Sequence, residues 1–111
     1  MGKYRLGEFE EIVLLTVAIL YDNAYGISIK EDIQERLDRK VSVGALQSAL
    51  RRMEKKGFLR SRKGETNDVR GGRPKLLFTL TAAGQQALEE ARDSRNQLWN
   101  AIPDGVLKLT S

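Results

Sequence analysis

From Val43 to Leu80 the chain changes its pattern in an order that few folds can accommodate. It reads VGALQSALRRMEKKG, then two strand-like runs, FLRSRKGE and KLLFTL, around the loop TNDVRGGRPK. Leu46, Ala49, Leu50 and Met53 recur at helical spacing, so the first part is an amphipathic helix with one buried face. Ser42 is placed to cap its start and Gly57 to end it. The two runs that follow alternate like strands. The nine residues between them, with Asn67, Asp68, Gly71, Gly72 and Pro74, form a long hairpin loop.

Charge follows the same boundary. Arg51, Arg52, Lys55, Lys56, Arg60, Arg62, Lys63, Arg70, Arg73 and Lys75 are ten of the nineteen basic residues, and only Glu54, Glu65 and Asp68 oppose them there. The span from Arg51 to Lys75 carries +7 and the remainder of the chain −3, although the whole sums to only +4. Positive charge gathered on one helix and one hairpin is the electrostatic footprint of a duplex nucleic-acid binder.

The rest of the chain supplies the frame. A first helix is predicted from about Gly7 to Tyr21, with Glu8, Glu10 and Glu11 complementing the dipole of its first turn. From Ile12 onward it is apolar on nearly every side, so it is either the central core helix or a helix buried against a partner chain, and the two readings are compatible. Asp22-Asn23 marks a turn. A second helix is predicted over about 24–37, with Ile29, Ile33 and Leu37 at every fourth position and Ile27 nearby. Thr81 caps a last helix in which Gly84, Leu88, Ala91, Arg95, Leu98 and Ile102 make a short coiled-coil-like seam interrupted by Arg95, with Ala87 and Trp99 beside it.

The predicted order is helix, helix, helix, strand, loop, strand, helix. The fold class is therefore α+β, mainly α: a winged helix-turn-helix with a two-stranded wing and a C-terminal dimerisation helix. One domain is expected over 1–102, with Pro103 opening a frayed tail at 103–111.

Composition removes several function classes. With 111 residues there is room for one core. The chain has no cysteine and no histidine, which takes away disulfides, thiolate metal sites and the commonest general base. Asp22, Asp32 and Asp38 lack metal-ligand spacing, no phosphate-binding glycine motif is present, and no Ser-His triad can form. No cofactor, no metal and no enzymatic activity are expected. The longest apolar run, Ile12 to Tyr21, is half the length of a membrane span, and the N-terminus lacks the features of a signal peptide, so a cytosolic protein is expected.

In a helix-turn-helix the second helix enters the major groove and its N-terminal residues meet base edges. Gly44 lets the backbone approach. Gln47 can pair with adenine, Ser48 can serve base or phosphate, and Arg51 can grip guanine, while Arg52 and Lys55 suit phosphates. At the wing, Lys63, Arg70, Arg73 and Lys75 beside Gly71-Gly72 suit a minor groove or phosphates. With Lys40 and Ser42 just ahead of the helix, the expected DNA-facing set is Lys40, Ser42, Gly44, Gln47, Ser48, Arg51, Arg52, Lys55, Lys63, Arg70, Gly72, Arg73 and Lys75. A solvated helix face and a plain surface loop are the bland alternatives.

Several blocks resemble the PadR family of bacterial winged-helix transcriptional regulators: Leu6-Gly7-Glu8-Phe9-Glu10, Ala24-Tyr25-Gly26-Ile27, Val41 to Leu46, Arg52 to Gly57, Gly71 to Lys75 and Leu80 to Gly84. The resemblance spans about residues 6 to 99 and implies the small subgroup with a single C-terminal helix. It implies a homodimer built through the first and last helices, a palindromic operator and repression, in some relatives with a small aromatic effector at the dimer interface. Phe9, Ile12, Leu88, Ala91, Arg95, Leu98 and Trp99 are then the dimer and effector candidates, with Trp99 either a dimer-core anchor or a ligand platform. Gln47 stands where the family generally has tyrosine, and Leu76, Leu77 and Phe78 replace a more aromatic and basic strand. The expected function is a sequence-specific DNA-binding regulator acting as a dimeric repressor. The alternative is a winged-helix module that contacts protein or RNA through its basic face.

Overall fold

A computed structural model describes residues 5–64 and 75–110. Its elements are α1 (Glu8–Leu20), α2 (Gly26–Leu37), α3 (Val43–Lys55), β1 (Leu59–Lys63), β2 (Leu76–Leu80) and α4 (Ala82–Ala101), with short 3₁₀ turns at Tyr21–Asn23 and Leu107–Thr110.

Local chemistry sets the ends of these helices. Ser42 Oγ accepts the Ala45 N–H at 3.1 Å, capping α3. At the other end Gly57 adopts φ +84, and the N–H groups of Gly57 and Phe58 return to the carbonyls of Glu54 and Met53 at 3.0 and 2.8 Å. That double bond is a Schellman stop, and its left-handed residue is where glycine is favoured. It turns the chain directly into β1. Thr81 does the same service for α4, accepting the Gly84 N–H at 3.0 Å while donating to the Gly57 carbonyl at 2.6 Å.

The core lies where α1, α2, α3 and the wing base meet. Val13, Leu14, Ile29, Ile33, Leu50, Met53 and Phe58 are fully enclosed there, each contributing roughly 1.5–3 kcal/mol through burial. β1 and β2 pair antiparallel, with Leu59 opposite Leu80 and Lys63 opposite Leu76. The buried face of α3 is the one its apolar spacing predicts.

The second helix starts later than its sequence suggests. Ala24 is buried and extended; its carbonyl accepts the Phe78 N–H at 2.8 Å, and Tyr25 bridges Leu77 across the wing. Pairing with β2 takes the backbone groups that a first helical turn would use. Ser28 Oγ accepts the Tyr25 N–H at 3.0 Å and fixes the helix start at Gly26. Leu37 and Ile27 also depart from the predicted apolar stripe, each 49% exposed, while Ile29 and Ile33 carry the packing.

α4 leaves the body. Its first turns pack through Gly84 and Ala87, but residues 92–100 are exposed throughout. The radius of gyration is 16.7 Å, against about 13 Å for a compact domain of this length, and the long dimension reaches 58 Å. No helix among the described residues is long and apolar enough to cross a membrane.

Candidate nucleic-acid interface

α2 and α3 form the helix-turn-helix, and the polar side of α3 faces away from the core. Gly44, Gln47, Ser48, Arg51, Arg52 and Lys55 are all exposed. Ser48, Arg51, Arg52 and Lys55 line one shallow cleft of about 290 Å³, so three cations border a single recess. Lys40 and Ser42 are exposed at the entry to α3; the Ser42 oxygen is engaged in the cap, which leaves its hydroxyl hydrogen as the donor. Gln47 lies against the start of α2, where a Cβ on Gly26 would stand 3.6 Å from Nε2.

The wing is fastened to this unit. Lys75 Nζ sits 4.3 Å above the Tyr25 ring, a cation–π contact that holds the half-buried lysine beside the start of α2. Lys63 projects from the end of β1 and is exposed, as are Arg60 and Arg62 on the same strand. Arg70, Gly72 and Arg73, expected at the wing tip, lie outside the described residues.

α3 is also held from behind. Glu10, 8% exposed, accepts the Gly7 N–H at 3.0 Å and Arg52 Nε at 2.9 Å, and stands 3.6 Å from Lys56 Nζ. Burial alone pushes this carboxyl up. The Gly7 N–H and the two cations outweigh it and hold the group below the usual glutamate value. Arg52 therefore divides its role: one edge of its guanidinium anchors α3 to α1, and the rest remains open beside Arg51. Gln34 adds a second brace by accepting the Val41 N–H at 3.0 Å, and Ser61 donates to Glu54 at 2.5 Å, tying α3 to β1.

Glu10 is the residue a reading of the charges alone misses. Its signal is positional: Glu10, Val13, Leu14 and Val17 fall at i, i+3, i+4 and i+7, on the buried stripe of α1. A carboxylate in that register needs a partner inside the fold.

On the far side, α1 and α4 enclose an open groove of about 630 Å³ whose wall includes Leu15, Ala18, Leu88, Arg95 and Trp99. Glu11 pairs with Arg95, so the residue that interrupts the apolar seam is engaged within its own chain. Of the other dimer and effector candidates, Phe9, Ile12, Leu88 and Ala91 are half-buried, Leu98 is exposed, and Trp99 is 62% exposed. Arg39 stacks 5.5 Å from the Phe9 ring. Among the described residues no cluster of acidic side chains could hold a metal ion.

A helix pair followed by a two-stranded wing, with cations along the outer face of the second helix, is the winged helix-turn-helix architecture of DNA-binding regulators. The family model described as the transcriptional regulator PadR-like family matches residues 14–90, and the chain belongs to that family.

Solved structures agree. A PadR family transcription regulator from Clostridium difficile R20291 is 27% identical at TM-score 0.62, the match covering 80% of this chain and 91% of that one. A PadR family regulator from Eggerthella lenta DSM 2243 is 25% identical at TM-score 0.66, over 94% and 87% of the two chains. A transcriptional regulator from Clostridium thermocellum shares the fold at 23% identity and TM-score 0.68, over 87% and 91%. No curated protein matches.

Proposed function

We propose that the protein is a homodimeric transcriptional repressor that reads an inverted-repeat operator with the outer face of α3 and flanks it with the wing. The observation that carries this reading is the row Ser48, Arg51, Arg52 and Lys55, exposed along the side of α3 opposite its buried face and braced from behind by Glu10. Arg51 is the guanine contact and Gln47 the adenine contact. Lys55 and the exposed edge of Arg52 meet phosphates, as do Lys40, Ser42, Lys63 and Lys75. Arg70, Gly72 and Arg73 complete the wing tip.

Two substitutions separate base reading from charge. Arg51→Ala is expected to weaken operator binding by about 5- to 150-fold per half-site and to relax preference at one base pair. Lys55→Ala should weaken binding to all sequences alike and reduce the salt slope by about one per half-site. Titration of both variants on specific and scrambled duplexes checks this. Equal losses on both duplexes for Arg51→Ala would remove it from the base-reading role and favour the module that contacts protein or RNA.

The dimer reading rests on the exposed apolar side chains Leu15, Ile19, Leu98 and Trp99 and on the uncovered outer half of α4. A second copy laid across α1 and α4 would cover them. Trp99 emission is therefore expected to shift to the blue as concentration rises through the association range. An unshifted spectrum across a dimerisation seen by sedimentation would place Trp99 outside the interface. The α1–α4 groove, with Trp99 on its wall, is where a small aromatic effector would release the operator.

A further inference from the structure

Leu15, Ile19, Leu98 and Trp99 lie on α1 and α4, on the side assigned above to a second copy. Among the other large apolar side chains left exposed, two share one cleft. Ile27, at the start of α2, is 49% exposed, and Val43, the first residue of α3, is 58% exposed. They line one cleft of about 390 Å³ between the two helices, with Leu46 at its floor and Lys30, Glu31, Gln34 and Gln47 around it. Single exposed apolar residues are ordinary on protein surfaces, but two on one cleft beside a proposed base-reading glutamine are not scattered.

Their neighbours sharpen the point. Ser42, Gly44 and Ala45 surround Val43 with small, exposed residues, so the first turn of α3 can come close to a duplex with Val43 as its bulkiest member. Its chain neighbours apart, a Cβ on Gly44 would meet only the Ser42 hydroxyl, 3.8 Å away, so the surface beside it is open. The N-terminal residues of a helix-turn-helix reading helix are the ones that reach base edges. In the major groove, donors and acceptors line the base edges, and the apolar group among them is the 5-methyl of thymine. The apolar pair Ile27 and Val43, set among the polar side chains Lys30, Glu31, Gln34 and Gln47, has one chemical match in that groove.

We propose that Val43, with Ile27 on the opposite wall, receives a thymine methyl and is a specificity-determining residue of the reading helix. Gln47, one turn further along the same face, lies about 5–6 Å away, so the thymine falls within about two base pairs of the position Gln47 reads. This assignment rests on the DNA-reading function proposed above.

The test uses the whole protein and an operator recovered from a random duplex pool. Each thymine of one half-site is replaced in turn by deoxyuridine, which removes only the methyl. One replacement is expected to weaken binding by about fourfold, the loss that accompanies one methyl leaving an apolar contact. Val43→Ala should weaken binding to the parent operator by a similar factor and be indifferent to that replacement; because Val43 is exposed, the variant keeps its fold. Ile27→Ala should show a smaller version of the same indifference. A specific operator at which every deoxyuridine costs wild type and Val43→Ala equally would overturn the assignment while leaving the regulator reading intact. A pool that yields no preferred sequence would overturn the regulator reading, and the assignment with it.

Discussion

Gly84→Ala is expected to lower the melting midpoint by on the order of 10 °C, the shift that goes with about 2–3 kcal/mol in a domain of this size. Helix propensity alone would give the opposite sign. Gly84 is the third residue of α4, and alanine in a helix interior is favoured over glycine by about 1 kcal/mol. Packing decides the sign. A Cβ there would stand 2.3 Å from the Phe58 carbonyl oxygen and 2.7 Å from a Leu80 methyl, distances at which backbone has to move. The Phe58 carbonyl also accepts the Thr81 N–H, so displacing it strains the junction of α3, the wing and α4 at once. Gly44→Ala, on the open side of α3, is the matched control and should stabilise by up to about 1 kcal/mol. Thermal denaturation followed by circular dichroism distinguishes the two. A Gly84→Ala protein as stable as wild type would mean that α4 is not seated on the wing base as described.

Glu10→Ala is expected to cost a further class of stability, about 2–3 kcal/mol. It strips an enclosed carboxylate from the Gly7 N–H, Arg52 and Lys56, and hydrogen bonds to charged groups are worth about that much. The effect has a pH signature. The folded carboxyl titrates below its unfolded value, so the stabilisation is complete above the ordinary glutamate range and disappears as pH falls through the folded value. Wild type should therefore lose stability below about pH 4 more steeply than Glu10→Gln, which keeps an acceptor for Gly7 and has no proton to gain. Parallel acid-denaturation slopes for the two proteins would contradict the role given to Glu10. Since Arg52 is held by this carboxylate beside Arg51, Glu10→Gln should also change the salt dependence of DNA binding.

These two residues also show where the chain is easy to read and where it is not. The buried face of α3, its Ser42 cap and its Gly57 stop depend on residues within a few positions of one another, and periodicity and side-chain chemistry reveal them directly. Thr81 capping α4 is legible for the same reason. The start of α2 is not, because Ala24 and Tyr25 are drawn into extended conformation by Phe78 and Leu77, more than fifty positions away. Glu10 reads as a helix-dipole residue until the end of α3 is known to lie beside it. Leu37 and Ile27 satisfy helical spacing yet remain exposed, since spacing selects a face but does not say how far the neighbouring helices extend over it. Charge location marks the basic face; which of its cations stay exposed and which, like Arg52, brace the fold depends on tertiary partners.

Whether the outer face of α3 reads DNA sequence is decided by selecting bound duplexes from a random pool and titrating the winner at several salt concentrations. One preferred motif with inverted symmetry is expected, with the logarithm of the affinity falling steeply and linearly with the logarithm of salt as phosphate counterions are released. Recovery of no common sequence, or binding that is equally tight on any duplex, would contradict it.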